Sequence, residues 1–243
     1  MSFFVFSILV LCLELYAQVD WSVSPFAPPS AEKPAAQNPV PETKGPSYVP
    51  YYMVDSRDGE KYKIVMIGKK VWMAENLRFY APGSECLELN QKSCERFGRY
   101  YTWAQAVGTT PNCNQNVCKL IYETNFRGIC PDGWHIPTDS DWIHLTTYVN
   151  SKSKGRGAEV LKSTYAWKGG NGTNESNFNA LPSGFRFMNG NFLDVGWKTR
   201  FWSITQINET QAASWELSKS RSGLVQVEDY KSNELPLRCI RND

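Results

Sequence analysis

Cysteines constrain this chain more than any other feature, because six of its seven lie outside an apolar N-terminal stretch. Two of the six, Cys130 and Cys239, lie 109 positions apart (239 minus 130). On the chain-entropy model, a disulfide between them would stabilise the fold by roughly 4–5 kcal/mol. An even number of cysteines is typical of an exported, disulfide-bonded chain, although six cysteines allow fifteen connectivities.

The spacing of the six cysteines favours disulfides over a metal site. No two of them have the Cys-x2-Cys spacing of a zinc site, and His135 and His144 form no ligand-like pair. Proximity along the chain favours two short bridges and one long bridge, namely Cys86–Cys94, Cys113–Cys118 and Cys130–Cys239. We therefore predict disulfides and no bound metal at these positions, with the connectivity left open.

Residues 1–17 have the pattern of a secretory signal peptide. The apolar run Phe3–Leu13, about eleven residues long, is too short to span a bilayer and suits the hydrophobic part of a signal. Ala17 provides a small residue at the cleavage point, although no Lys or Arg precedes the run. A lipid anchor on Cys12 is the alternative, but the large Leu11 before it disfavours that interpretation. We predict a secreted or outer-cell-surface protein with no transmembrane span after cleavage.

Residues 18–52 are predicted to form a proline-rich disordered linker. They contain eight of the fourteen prolines, and such a composition cannot bury enough apolar surface to fold. The folded domain is predicted over residues 53–243. With 26 basic and 24 acidic residues and no basic run, the chain lacks the charge pattern of a nucleic-acid-binding protein.

The pattern of the domain predicts an α+β fold with an antiparallel sheet. Helices are predicted at 101–107, 139–150 and 158–162, and strands at 62–67, 71–73, 201–204, 214–217, 224–227 and 235–240. Thr138 and Asp141 are spaced as a capping box for the second helix. Clusters of Gly and Asn predict that residues 164–200 form long turns rather than regular elements.

Motifs spread in order between about residues 54 and 241 resemble the Fibrobacter succinogenes major paralogous domain family. They include Val-Trp-Met-Ala-Glu-Asn-Leu at 71–77, Phe-Gly-Arg-Tyr-Tyr-Thr-Trp at 97–103, Cys-Pro-Asp-Gly-Trp-His-Ile-Pro-Thr at 130–138, Phe-Asn-Ala-Leu-Pro-Ser-Gly at 178–184 and Arg-Cys at 238–239. The family is common in exported bacterial proteins and has no settled function. The resemblance therefore implies location and fold, but little chemistry.

That family in turn resembles a branch of the C-type-lectin-like fold. The resemblance implies that Trp103–Ala106 is its first helix, Thr138–Asn150 its second helix and Cys130–Cys239 its long disulfide. Residues 164–200 then correspond to the long loop region, where ligands often bind. We expect a C-type-lectin-like domain with two short helices, an antiparallel sheet and this long loop region, stapled by disulfides.

Aromatic and amide side chains in the long loop region are the candidates for ligand binding. Six tryptophans have apolar neighbours and are predicted to lie in the core, namely Trp72, Trp103, Trp134, Trp142, Trp202 and Trp215. Trp167 and Trp197 instead flank the Gly/Asn clusters, and aromatic rings can stack on the apolar face of a sugar. We predict a contact face of Trp167, Trp197 and Arg186, with hydrogen bonds from Asn171, Asn174 and Asn191.

Two alternatives for the loop asparagines stay open. Asn is an ordinary turn residue because it tolerates positive φ, and this property alone explains most of them. Their oxygens, with Glu175 and Asp194, could also bind calcium. However, the region lacks the Glu-Pro-Asn and Gln-Pro-Asp motifs of calcium-dependent lectins. No cofactor is predicted, with calcium as the alternative.

No pattern in the sequence indicates an enzyme. No Gly-framed serine or spaced base marks a nucleophile. Formylglycine-generating enzymes, which resemble this fold, need reactive cysteines, whereas all six cysteines here would be bridged. Glu75 and Asp141 are the candidates for a glycosidase pair, but Asp141 is better explained as the capping partner of Thr138.

The sequence thus predicts an exported or cell-surface protein that binds without catalysis. By analogy with the source of the family's name, plant-type polysaccharide is the expected ligand. The alternative is a structural or protein-interaction module of the bacterial envelope, with an envelope protein as partner. Exposure of Trp167 and Trp197 distinguishes them, because rings buried under the loops cannot stack on a sugar.

Overall fold

A computed structural model describes residues 51–119 and 125–243. The predicted signal peptide lies outside these ranges, and the predicted linker overlaps them only at Tyr51 and Tyr52. Both tyrosines belong to the strand Tyr51–Val54, so the last two residues of the predicted linker are part of a strand. No helix within the described ranges is long and apolar enough to cross a membrane.

The structure has a mixed α+β architecture, which confirms the predicted class. The helices are α1 (Gln91–Phe97), α2 (Trp103–Ala106), α3 (Asp139–Lys152) and α4 (Gly157–Leu161), with short 3-10 helices at Leu87–Leu89 and Pro111–Asn114. The strands are β1 (Tyr51–Val54), β2 (Lys61–Ile67), β3 (Lys70–Met73), β4 (Tyr100–Tyr101), β5 (Trp134–His135), β6 (Phe185–Arg186), β7 (Phe192–Leu193), β8 (Lys198–Gln206), β9 (Gln211–Ser218), β10 (Val225–Tyr230), β11 (Leu235–Pro236) and β12 (Ile240–Arg241).

A five-stranded antiparallel sheet joins the two ends of the domain, with strand order β1-β2-β3-β12-β5. β2 and β3, at the predicted strand positions 62–67 and 71–73, form a hairpin, and the turn between them places Gly68 at φ 68°, a conformation that glycine adopts without strain. The last strand, β12, lies between β3 and β5. The end of the chain is therefore an interior part of this sheet.

A second antiparallel sheet contains β10, β9 and β8 in that order. These strands include the predicted ones at 201–204, 214–217 and most of 224–227. The single strand predicted over 235–240 is instead divided into β11, which pairs with β4, and β12. Between them, the carbonyls of Leu237 and Cys239 accept hydrogen bonds from the amides of Leu77 and Met73.

The helix starts follow their capping residues. In α3, the Thr138 hydroxyl accepts a hydrogen bond from the Asp141 amide and the Asp141 carboxylate accepts one from the Thr138 amide, which confirms the predicted capping box. The helix predicted over 101–107 is shorter than expected. Tyr101 lies in β4 and Thr102 is the cap, so α2 is a single turn.

Aromatic side chains fill the core between the five-stranded sheet and α3. The Trp72 and Trp142 rings lie 4.8 Å apart, and Trp142 stacks on Phe201 at 5.7 Å. Such pairs stabilise a core beyond the area that they bury. All six tryptophans predicted to be in the core are at most 5% exposed, which confirms that prediction.

Arg238 is a buried charge that ties the C-terminal segment to the long loop region. Its guanidinium lies 4.2 Å from the Phe178 ring centroid and donates hydrogen bonds to the carbonyls of Phe178 and Asn179 and to the Asn76 side chain. Burial lowers the pKa of Arg238 to about 9. These bonds satisfy N–H donors of a guanidinium group that would otherwise be costly to bury.

The structure contains the three disulfides that proximity favoured. They are Cys86–Cys94, Cys113–Cys118 and Cys130–Cys239. The long bridge connects the segment before β5 to the segment before β12, with the two Cα atoms 5.9 Å apart. It therefore fastens two strands that are also neighbours in the sheet.

Candidate functional site

The two tryptophans of the long loop region differ in exposure. Trp197 is 44% exposed, whereas Trp167 is 5% exposed. The Trp167 indole N–H donates a hydrogen bond to the Ala180 carbonyl at 3.1 Å, and the ring belongs to the main hydrophobic core. The prediction that Trp167 contributes to a contact face is therefore wrong, because a buried ring has no free face for a sugar.

Trp197 is held in place by backbone hydrogen bonds on both sides. Its amide donates to the Asp194 carbonyl at 2.9 Å, and its carbonyl accepts a bond from the Lys219 amide at 2.9 Å. The Lys168 amide donates to the carbonyl of the preceding residue, Gly196. The ring is therefore an exposed side chain on a fixed stretch of backbone.

Two lysine ammonium groups lie over the Trp197 ring. The Lys219 Nζ is 5.2 Å from the ring centroid and the Lys168 Nζ is 5.5 Å from it. Within the parts of the chain that the structure describes, neither lysine has a carboxylate oxygen within 4.0 Å. We name the group Trp197, Lys168, Lys219 and Asn171 the Trp197 surface.

Asn171 belongs to this surface, but its amide group is occupied. Its Nδ2 donates to the Lys219 carbonyl at 2.9 Å, and its Oδ1 accepts a bond from the Lys162 Nζ at 3.3 Å. Lys162 is fully buried, and burial lowers its pKa to about 8. The Asn171 amide group is therefore bonded to Lys219 and Lys162, rather than presented free to a ligand.

The other predicted hydrogen-bonding asparagines have the geometry of turn residues. Asn174 has φ 53°, and its Oδ1 accepts the Asn179 amide at 2.8 Å. Asn191 is exposed, and its own amide donates to the Asn189 side chain at 3.0 Å. Their place in the sequence is explained by the left-handed or tight turns that Asn favours.

Arg186 is also engaged within the protein. Its guanidinium forms an ion pair with the Glu234 carboxylate and a hydrogen bond to the Gly190 carbonyl at 3.2 Å. Burial raises the pKa of Glu234 to about 7, although the nearby Arg186 acts in the opposite direction. Among the described hydrogen bonds, ion pairs and ring contacts, none joins Arg186 or Asn191 to Trp197.

Carboxylates of the long loop region are paired with basic side chains. Glu175 lies 3.5 Å from Arg156, and Asp194 lies 2.9 Å from Lys198. No group of three or more His, Cys, Asp or Glu side chains that could hold a metal ion occurs in the described ranges. Calcium binding therefore stays a hypothesis for a chelator experiment.

Two other charged clusters are internally satisfied. Arg200 bonds the carboxylates of Glu216 and Asp229, each at 2.9 Å, on one face of the β8–β9–β10 sheet. Asp141 accepts bonds from the amide and hydroxyl of Thr138 and lies 3.6 Å from the His135 ring. Although burial alone would raise the pKa of Asp141, these partners lower it to about 2.

Sequence reasoning missed Lys168 and Lys219. Lys168 was detectable in part, since it follows Trp167 and precedes the first Gly/Asn cluster. Lys219 lies 22 positions after Trp197 (219 minus 197), and no local pattern connects the two. Their association depends on the pairing of backbone segments that are distant in sequence.

Comparison with known proteins identifies the family. The model of the Fibrobacter succinogenes major domain matches residues 65–241, which is more than half of the chain. No curated protein and no solved structure matches it. The matched range includes the Trp197 surface and the long disulfide. The chain therefore belongs to the Fibrobacter succinogenes major domain family.

Proposed function

We propose that this chain is an exported or cell-surface protein that binds polysaccharide through its long loop region and catalyses no reaction. The observation that carries the proposal is Trp197, a large aromatic side chain left 44% exposed on a fixed stretch of that region. An exposed indole offers an apolar face on which a pyranose ring can stack. Lys168 and Lys219 next to it supply hydrogen-bond donors for sugar oxygens.

A C-type-lectin-like fold is part of this proposal. It is supported by the short helix α2, the longer helix α3 and the Cys130–Cys239 bridge, all at the positions that the resemblance implies. Residues 164–200 contain only the short β6–β7 hairpin and the start of β8, which fits a long loop region. The described residues contain four α-helices rather than two, so the expected architecture is simpler than the observed one.

Export is supported by the disulfides, since three bridges persist in an oxidising compartment. The same bridges argue against a cysteine nucleophile. Each of the six cysteines in the described ranges is half of a disulfide, so none of them offers a thiolate nucleophile. Asp141 serves as the capping partner of Thr138, as expected.

A pull-down tests the proposed function. Residues 18–243, oxidised, are incubated with insoluble cellulose, xylan and a glycan array, with and without a chelator. We expect saturable binding that is lost in Trp197→Ala and retained in Tyr80→Ala, since Tyr80 is a 62% exposed aromatic outside the long loop region. Sensitivity to the chelator would add calcium to the site. Absence of binding to every glycan would overturn the proposal.

The alternative is a protein-interaction module of the envelope, and β1 favours it. This strand pairs only with β2 among the described strands, and its Tyr52 and Val54 side chains are each 55% exposed. An open strand edge with apolar side chains can accept a further strand from a partner. Crosslinking on cells would identify such a partner, and Val54→Lys should abolish its capture.

A further inference from the structure

The Trp197 surface has an excess of positive charge without a matching carboxylate. Lys168 and Lys219 place two ammonium groups within 5.5 Å of one ring centroid, although like charges repel. The buried Lys162 ammonium lies beneath this surface, bonded to Asn171 and 5.0 Å from the Trp167 ring centroid. In the described residues, none of these three lysines has an ion pair within 4.0 Å.

The nearest acidic side chain along the chain does not compensate this charge. Asp194, three residues before Trp197, forms its ion pair with Lys198 at 2.9 Å. It therefore neutralises a fourth lysine and leaves the other three uncompensated. An anion from outside would find two partly accessible ammonium groups with no competing carboxylate on them.

Two glycines make room for the lysine side chains. A Cβ atom added at Gly169 would lie 2.4 Å from the Lys219 Nζ, and one added at Gly196 would lie 3.0 Å from the Lys168 Cγ. Both glycines have positive φ, at 75° and 87° respectively. The Lys168 amide also donates to the Gly196 carbonyl, and the Lys219 amide to the Trp197 carbonyl. These backbone bonds and the space left by the two glycines together direct both ammonium groups to the ring.

We infer that the Trp197 surface selects acidic polysaccharide, with a uronate carboxylate held by Lys168 and Lys219 and the sugar ring against the Trp197 indole. This inference rests on the proposed function and names its substrate class. A uronic acid residue combines an apolar ring face with one negative charge, and the surface combines an exposed aromatic ring with unpaired cations. A neutral glycan would use the indole but leave the lysine charges uncompensated.

Titration with matched glycans tests this inference. The oxidised chain 18–243 is titrated with polygalacturonate, with the same polymer after reduction of its carboxyl groups, and with dextran sulfate. We expect binding to polygalacturonate at low salt and about tenfold or more weaker binding to the reduced polymer. Affinity for polygalacturonate should fall as salt rises from about 0.05 to about 0.5 M, because exposed charges are screened.

Matched variants separate the site from general attraction. The double variant Lys168→Gln/Lys219→Gln should lose about tenfold or more in affinity for polygalacturonate. The control is Lys69→Gln/Lys92→Gln, which removes the same charge from two exposed lysines elsewhere and should change affinity by less than about twofold. Thermal unfolding of both variants checks that they fold.

The outcomes distinguish the inference from the proposed function. Equal binding of both polymers, lost in Trp197→Ala but retained in the Lys168/Lys219 variant, would overturn the inference and leave polysaccharide binding intact. Two outcomes would indicate general attraction of anions and would also overturn the inference. One is tight binding to dextran sulfate that survives Trp197→Ala. The other is an equal loss of affinity in the two double variants. Failure to bind any glycan would overturn both.

Discussion

The long loop region consists of two segments that look alike in sequence and differ in how they are held. We call residues 164–184 the inner segment and residues 185–200 the outer segment. Both are rich in Gly and Asn. In the inner segment, Phe178 is fully buried and Trp167 is 5% exposed, whereas Trp197 in the outer segment is 44% exposed.

The inner segment is bonded to distant parts of the protein. Arg238 donates to the Phe178 and Asn179 carbonyls, and the Ser176 hydroxyl donates to the Val160 carbonyl at 2.6 Å. Its turns are therefore part of the core structure. Loops of this kind contribute to stability rather than to recognition.

The outer segment is held by its own turns and by bonds to distant residues, since the Arg186 amide donates to the Glu234 carbonyl and the Lys219 amide to the Trp197 carbonyl, both at 2.9 Å. The Gly190 amide donates to the Phe187 carbonyl at 2.8 Å, and Arg186 pairs with Glu234. Several of its side chains are exposed, including Met188 and Leu193, whereas Phe185 is buried. The comparison teaches that the two segments differ in their aromatic rings, since the Trp167 ring is buried and the Trp197 ring is exposed, and the predictions below test that division.

Replacing Arg238 should produce the largest effect on the inner segment. Arg238→Ala leaves three buried acceptors unpaired, on Phe178, Asn179 and Asn76, and opens a cavity between two aromatic rings. We expect the free energy of unfolding to fall by about 5 kcal/mol, measured by urea denaturation. Arg241→Ala, at a partly exposed position in β12 three residues after Arg238, is the matched control and should cost less than about 1 kcal/mol.

Truncation of Trp167 should destabilise the protein by about 3–4 kcal/mol. Trp167→Ala removes a buried ring and the hydrogen bond to Ala180. Trp167→Phe retains most of the ring volume but loses the hydrogen bond to Ala180, and it should lower the free energy of unfolding by about half as much. The two variants together separate the contribution of packing from that of the hydrogen bond. A loss below about 1 kcal/mol in Trp167→Ala would contradict the assignment of the inner segment to the core.

Lys162 lies just before the inner segment, and its replacement should raise the free energy of unfolding rather than lower it. Its folded-state pKa of about 8 lies below the unfolded value of about 10.4, so the charged form destabilises the folded state. Stability of the wild type should therefore rise between about pH 8 and pH 10.4. Lys162→Met should be more stable by about 1–2 kcal/mol at pH 7, and its advantage should shrink across that pH range.

Urea denaturation at pH 7, 9 and 10.5 checks this expectation, with Lys69→Met as the exposed control. A destabilised Lys162→Met would mean that the bonds from Lys162 to Asn171 and Arg221 outweigh the cost of burying its charge.

Local signals in the sequence predicted much of the fold. The alternation in β2, the Thr138–Asp141 capping box and the late strands are readable because the residues that interact lie within a few positions of one another. Helix α1 was missed because it spans only seven residues, and its start depends on Asn90 as a cap. The helix predicted over 101–107 starts too early, because Tyr101 lies in β4 and Thr102 is the cap of α2.

The candidate site was predictable only in part. Composition placed both Trp167 and Trp197 near Gly/Asn turns, but their different exposure depends on contacts distant in sequence. Trp167 bonds Ala180, whereas Trp197 is flanked by Lys219 across the β8–β9 pairing. Local composition therefore predicts the region that contains both tryptophans, but not which of the two rings is exposed.

Trp197→Ala should have the smallest effect on stability, in contrast to Trp167→Ala. Truncation of a 44% exposed ring removes little buried area, and the backbone bonds of residue 197 remain. We expect a change of less than about 0.5 kcal/mol in the free energy of unfolding, measured in urea beside Trp167→Ala. The same variant should lose glycan binding. A loss above about 2 kcal/mol would contradict the division, because the outer segment would then be part of the core as well. Loss of binding without loss of stability would identify Trp197 as a side chain kept exposed for recognition.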